Sequence, residues 1–288
     1  MAPISFFEKF VSEHPVFTRQ RFRADFVTHH GDHDGKTRDD LVKAADDVIE
    51  YQSRVGRILP CGSSVYAAVP AHLIGSDFTP DRYLVAALAR EDGILAYHSA
   101  LELHGLAYSD SNEVQVLSSA RPGLLETRAG NVRFVKVPVL ERESGTMDGV
   151  TTFDRTGIHV RVTTLERTVL DCLERPDLAG GVEELEHALS GITSIKLRPL
   201  LAMVERRENH TLAGLVGWWL ESRQDDLGLR RESVDQALAR LDQLAPSKPR
   251  PYAGAERTED TLVKRWGLWL PPGLTDPAFE DNSDRMGF

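Results

Sequence analysis

Three runs of residues near the start of the chain have the apolar spacing of amphipathic helices. The first is predicted to begin after an N-cap at Ser5, and it ends at His14-Pro15 because the residue before a proline avoids the helical region. The second covers residues 19–27 behind an N-cap at Thr18, and the third begins at Thr37. The apolar and periodic positions are Phe6, Phe7, Phe10 and Val11, then Phe22 and Phe26, then Leu41, Val42, Ala45, Val48, Ile49 and Gln52.

A β-hairpin is predicted after the third helix. Two short β-prone runs, residues 55–60 and 64–69, flank the turn residues 61–63. The polar, glycine-containing stretch 28–35 reads as a loop between the second and third helices. Three helices followed by a hairpin is the order of a winged helix-turn-helix, so we predict that fold for residues 1–70.

The rest of the chain mixes strands and helices. After a linker at 70–79, β-branched runs predict strands at 113–117, 132–137 and 159–162, and helical periodicity dominates from Thr164 onward. We therefore predict an α/β (α+β) protein with a larger mixed C-terminal domain at 80–275 and a polar tail at 276–288.

Composition places the chain among ordinary soluble proteins. Its 288 residues are 41% hydrophobic and 27% charged, and no apolar run reaches the length of a membrane helix. The start of the chain lacks a signal peptide pattern. Two cysteines, Cys61 and Cys172, fit a reducing compartment and are too few for a zinc framework. We expect a cytoplasmic protein with no membrane partner.

The negative charge is uneven along the chain. The net charge is -10, but residues 1–70 hold nine Lys/Arg and ten Asp/Glu. The remainder therefore carries -9. The near-neutral charge of the N-terminal part is compatible with a nucleic-acid contact there. Such a contact would depend on local clusters of basic residues.

Four blocks of the sequence resemble the AbiEi family, the antitoxins of type IV toxin–antitoxin pairs. They are residues 55–70 (the hairpin region), 97–106 (YHSALELHGL), 163–181 (TTLERTVLDCLERPDLAGG) and 265–271 (RWGLWLP). The third block carries the most specific resemblance. The blocks are spread over most of the chain.

This resemblance implies a function and two partners. A member of the family would bind the double-stranded DNA of its own promoter through the winged helix and repress its operon. Its C-terminal domain would neutralise a nucleotidyltransferase-like toxin, directly or indirectly. The chain departs from the family pattern at the wing tip, residues 61–64, which has no basic residue. Weaker phosphate contact by the wing is the expected consequence.

The candidate DNA-binding residues lie at helix starts and on the hairpin. The N-terminal end of a helix with basic residues favours binding of a phosphate, and an arginine side chain can form two hydrogen bonds to a guanine base. The alternative is that these are solvated helix faces, since acidic residues such as Asp39, Asp40, Asp46 and Asp47 lie nearby. The candidates are Arg19, Arg21, Arg23, Lys36, Thr37, Arg38 and Arg57.

Two further groups have a chemical and a structural interpretation. The stretch His29, His30, Asp32, His33 and Asp34 holds residue types that ligate metals, but a loop does not fix their geometry, so we predict no metal. An alternative is that protonation of these histidines makes the loop more basic at low pH.

The second group is Glu166, Arg167 and Asp171 in the signature. Five residues apart on a helix, Glu166 and Asp171 do not converge for catalysis. Arg167 and Asp171 are spaced for an ion pair, and Thr163 with Glu166 fits a capping box.

We therefore expect a protein that is not an enzyme and that has no cofactor. Two other functions stay open. The first is a stand-alone winged-helix regulator with no toxin partner. The second is a metal-dependent nuclease or transferase. The four tryptophans, Trp218, Trp219, Trp266 and Trp269, are predicted to anchor the core or an interface.

Overall fold

The fold is described from a computed structural model, over residues 5–31, 37–139, 148–252 and 260–275. Tertiary contacts group the chain into two compact units. Unit 1 comprises Met1–Leu95, Asn112–Val137 and Thr152–Val162, and unit 2 comprises Ala96–Ser111, Pro138–Thr151 and Thr163–Phe288. This grouping differs from the division predicted near residues 70–80, because strands late in the sequence join the sheet of unit 1.

Unit 1 begins with three helices and a three-stranded antiparallel sheet. The strand order is β1-β3-β2. The elements are α1 (Phe6–Glu13), β1 (Val16–Thr18), α2 (Arg19–His30), α3 (Arg38–Arg54), β2 (Ile58–Gly62) and β3 (Val65–Ala68). The predicted caps are confirmed at Ser5, Thr18 and Thr37. The fold is mixed α/β, as predicted, and the N-terminal elements have the winged-helix order.

An aromatic cluster holds these helices on the small sheet. Phe10 and Phe22 pack edge to face with their ring centroids 4.9 Å apart, and Phe17 of β1 lies 5.1 Å from Phe10. Both contacts have geometries that aromatic pairs prefer. The side chains of Leu41, Ala45 and Ile49 contribute the apolar face of α3 to the same core.

The second sheet of unit 1 has six strands in the order β6-β7-β5-β4-β9-β8. Its strands pair both parallel, as in β5 with β7, and antiparallel, as in β6 with β7. The elements are a 3-10 turn (Ala71–Leu73), α4 (Arg82–Leu88), β4 (Ile94–Leu95), β5 (Glu113–Ser118), β6 (Gly123–Thr127), β7 (Gly130–Lys136), β8 (Val150–Arg155) and β9 (Ile158–Thr163).

Unit 2 is mainly helical with a small sheet in the order β10-β12-β11. Trp219 and Trp266 are fully buried there, so these two are core residues, as predicted. The elements are α5 (His98–Leu103), α6 (Leu165–Glu174), a 3-10 turn (Pro176–Leu178), α7 (Val182–Ser190), α8 (Leu197–Arg207), α9 (His210–Ser222), α10 (Arg231–Leu244), β10 (Arg250–Pro251), β11 (Thr261–Val263), β12 (Leu268–Leu270) and α11 (Pro272–Thr275).

Three local predictions are corrected. Residues 28–30 belong to α2, which extends to His30, and not to the loop. The N-cap of α6 is Thr164, whose side chain accepts from the backbone N–H of Arg167, so the predicted capping box of Thr163 with Glu166 is wrong. The Thr163 hydroxyl bonds that of Thr168 at 2.7 Å instead. No helix in the described ranges combines the length and apolar character needed to cross a bilayer.

Candidate nucleic-acid interface

The three arginines that begin α2 each have a partner inside unit 1. Arg19 Nη2 donates to the hydroxyl of Tyr66 at 2.6 Å. Arg21 Nε donates to Asp25 at 2.8 Å, in an i,i+4 pair on the helix surface. Arg23 makes a bidentate pair with Asp46, at 2.8 and 2.5 Å. A phosphate that bound Arg21 or Arg23 would therefore compete with a carboxylate already in place.

The third helix, α3, which a winged helix would use for recognition, carries more negative than positive charge. Between Arg38 and Arg54 it has five carboxylates and three cations. Thr37 uses its hydroxyl to cap the helix, accepting from the Asp40 N–H at 3.2 Å. Arg38 is exposed at the first turn, and Lys36 lies outside the described residues. Apart from its first residues, this helix is a poor phosphate surface.

The wing contributes little charge. Arg57 lies over the ring of Phe7, 5.0 Å from its centroid, and 3.5 Å from Glu8. The turn of the hairpin places Ser63 and Ser64 at positive φ, 48° and 62°. A Cβ added at Gly62 would lie 3.3 Å from Cδ1 of Leu125 in β6, so the wing tip packs against the six-stranded sheet.

The N-terminal end of α2 opens onto a cleft that sequence reasoning missed. The cleft has a volume of about 540 Å³ and lies wholly within unit 1. Its walls are the start of α2, the wing turn at Ser63 and Ser64, residues 87–91 with Gly93, and the middle of β9. Three arginines line it, namely Arg21, Arg90 and Arg161, together with His159 and one carboxylate, Glu91.

Arg90 and Arg161 are held by neutral groups. Arg90 donates from Nη1 to the Ser118 hydroxyl at 3.2 Å and from Nη2 to the carbonyl of Arg121 at 2.8 Å. Its guanidinium stacks 3.6 Å from the centroid of Phe134. Arg161 donates to the backbone carbonyl of Asp92 at 3.4 Å. Within the part of the chain that the structure describes, neither side chain has a carboxylate within ion-pair distance.

The Asp92 side chain is engaged elsewhere. Its burial would raise its pKa, but hydrogen bonds from the side chain and backbone of Ser119 and from the Ser118 hydroxyl together hold the pKa below its usual value. The Ser118 hydroxyl donates to Asp92 at 2.8 Å and also accepts from Arg90. Asp92 is therefore ionised at neutral pH and fixes the hydroxyl that orients Arg90.

The signature residues form a buried ionic network in unit 2. Arg167 Nε pairs with Asp171 at 3.3 Å, as the i,i+4 spacing predicted. Asp171 also pairs with Arg207, and Arg207 reaches Glu174 at 2.5 Å. Glu166 lies apart from this network and accepts from the backbone N–H of Lys196 at 3.1 Å. The network joins α6 to α8, which supports a structural role.

A second buried polar group in unit 2 centres on His98. Its imidazole lies between two carboxylates, 3.8 Å from Glu102 and 3.5 Å from Glu184. Glu184 also accepts from the backbone N–H groups of Tyr108 and Ser109, at 2.7 and 3.0 Å. The three side chains at its centre are enclosed, since those of His98, Glu102 and Glu184 are 2%, 9% and 4% exposed. The cluster thus ties α5 and α7 to the segment after α5.

The histidines of the stretch 29–34, whose residue types could ligate a metal but for which no metal is predicted, pack on aromatic rings where they are described. His30 stacks on Phe26 with the centroids 4.1 Å apart, and His29 lies 4.9 Å from Phe6. Asp32, His33 and Asp34 lie outside the described residues. Among the residues that are described, no group of three His, Cys, Asp or Glu side chains has the arrangement of a metal site.

Comparison with known proteins supports the fold. No protein-family model matches the chain, and no curated protein matches it. A solved structure, the Rv2827c protein from Mycobacterium tuberculosis, is similar over 92% of this chain and 91% of its own, with a TM-score of 0.56 and 15% sequence identity. The chain is thus similar in fold to the Rv2827c protein over most of its length.

Proposed function

We propose that this protein is a DNA-binding transcriptional regulator that also serves as the antitoxin of a type IV toxin–antitoxin pair. The observation that carries the DNA-binding part is the set of N-terminal elements, three helices and a three-stranded sheet in winged-helix order. The antitoxin part depends on the resemblance of residues 163–181 to the AbiEi signature.

The charges of the two units fit this division of labour. Unit 1 has 17 Lys/Arg and 17 Asp/Glu, so it is neutral, and unit 2 has 17 Lys/Arg and 27 Asp/Glu. The whole net charge of -10 thus belongs to unit 2. A neutral unit does not repel DNA, and an acidic one complements a basic partner protein.

The DNA-binding part is tested by titrating the full chain into labelled duplex taken from upstream of its own gene. We expect tighter binding to this duplex than to a scrambled one of equal length, with an affinity that falls as salt rises. Equal affinity for both duplexes would contradict sequence-specific repression. No binding to either would remove DNA binding from the proposal.

The antitoxin part is tested by co-expression with a nucleotidyltransferase-like toxin encoded next to the gene. We expect growth arrest by the toxin to be relieved. A chain that binds its promoter but leaves the arrest in place is a stand-alone regulator. A variant with Asp171→Asn serves as a control for unit 2, since the substitution disturbs the buried network without altering the residues of unit 1.

A further inference from the structure

We propose that the cleft lined by Arg90 and Arg161 binds backbone phosphates of duplex DNA. These two arginines would supply the main electrostatic contribution to DNA affinity. This deepens the proposed function and rests on it. Neither residue belongs to the helices or the hairpin of the winged helix. The bound DNA would therefore extend from the start of α2 across the wing turn to β9.

The two guanidinium groups have the chemistry that phosphate recognition needs. Arginine presents a planar set of N–H donors that fits phosphate oxygens, and it stays charged at any physiological pH. The Phe134 ring, the Ser118 hydroxyl and the carbonyl of Arg121 hold Arg90 in place before any ligand arrives. Less side-chain entropy is then lost on binding.

The neutral partners of these groups set them apart from the arginines of α2. Arg23 would have to break a bidentate pair with Asp46 to reach a phosphate, and Arg21 would have to leave Asp25. Arg90 and Arg161 have no described carboxylate to give up. The Asp92 carboxylate reaches Arg90 only through the Ser118 hydroxyl, so an anion entering the cleft does not have to displace a directly paired carboxylate.

The position of the cleft matches an extended nucleic-acid surface. It begins at the first turn of α2, where Thr18 and Gln20 line it, and it includes the serines of the wing turn. Phosphates commonly bind at helix N-termini and at hydroxyl groups of this kind. Glu91 is the carboxylate on the cleft wall, and it is exposed at the rim, where solvent screens it.

The test is the salt dependence of DNA binding by the full chain. Each lost phosphate contact lowers the slope of log K against log salt by about 0.9, so Arg161→Gln should lower it by about 0.9 and the Arg90→Gln/Arg161→Gln double variant by about 1.8. The fall should be the same on promoter and scrambled duplex, because phosphate contacts carry no sequence information. Arg133→Gln is the matched control, since Arg133 of β7 pairs with Glu113 at 2.5 Å.

Arg161→Gln carries the test if Arg90→Gln does not fold, because the described contact of the Arg161 guanidinium is a single carbonyl. Circular dichroism and a melting curve check the fold of each variant. If the folded variants keep the salt-dependence slope of the wild type, the assignment of the cleft to DNA phosphates is overturned and the DNA-binding proposal stays intact. Absence of DNA binding by the wild type would overturn both. Stabilisation of the wild type by inorganic phosphate, without any change of slope in the variants, would assign the cleft to a free phosphate and overturn the DNA contact.

Discussion

Removing the charge of Asp171 should destabilise unit 2 strongly. Asp171 is 1% exposed, and Arg167, its partner at 3.3 Å, is fully buried. Asp171→Asn keeps the shape of the side chain and removes the charge, so Arg167 loses its i,i+4 carboxylate in a region that water does not reach. Breaking a buried ion pair by removing one partner costs about 3–5 kcal/mol.

Urea unfolding followed by tryptophan fluorescence measures this loss. All four tryptophans lie in unit 2, so the signal reports that unit alone. With an m-value of about 2 kcal/mol per molar urea, a loss of about 4 kcal/mol lowers the midpoint by about 2 M. The fluorescence signal therefore follows the unfolding of unit 2 even if unit 1 unfolds at a different urea concentration.

Asp177→Asn is the matched control for this measurement. Asp177 pairs with Arg175 at 2.7 Å in the same signature, but its side chain is 60% exposed. Exposed pairs contribute about 0–1 kcal/mol, so the midpoint should move by at most about 0.5 M. Equal shifts for the two variants would refute the argument that burial makes the Asp171 network strong.

Three further predictions concern packing, capping and thiol chemistry. Gly217→Ala would usually help a helix, but here the added Cβ meets the Trp266 ring, so we expect a loss of about 1–3 kcal/mol in the same fluorescence assay. Thr37→Ala removes the cap of α3 and should cost about 1 kcal/mol by circular dichroism, whereas Thr37→Ser should cost little; a larger loss for serine would contradict the capping role. Burial raises the pKa of the Cys61 thiol to about 11 from 9.0, so its reaction with a chromogenic disulfide reagent at about pH 8 should be about a hundredfold slower than for an ordinary thiol. Prompt labelling of folded protein would contradict this, and labelling in urea provides the control.

Local signals predicted the elements that local chemistry controls. Ser5, Thr18 and Thr37 were identified as caps because an N-cap needs a short side-chain acceptor just before an apolar periodic run. β1 was missed because three residues, Val16–Thr18, carry too short a pattern. Its pairing partner, β3, lies nearly 50 residues later in the sequence.

The cleft could not be predicted for a related reason. Arg90 follows α4 in a charged turn, Arg-Glu-Asp, that resembles a solvated loop, and Arg161 alternates with valines in β9. Nothing local shows that one stacks on Phe134 and that both line the same cavity. The partners of Arg19 and Arg23 were hidden in the same way, because Tyr66 and Asp46 come from other elements.

The interleaved course of the chain has a consequence for how the protein is made. The backbone passes between the two units five times, the last time between residues 162 and 163. On the ribosome, the N-terminal helices and hairpin therefore emerge long before β9, the strand beside β4 in the sheet of unit 1. Unit 1 cannot complete its fold until Val162 has left the exit tunnel. A gene truncated after the hairpin would encode a fragment lacking β6, against which the wing tip rests.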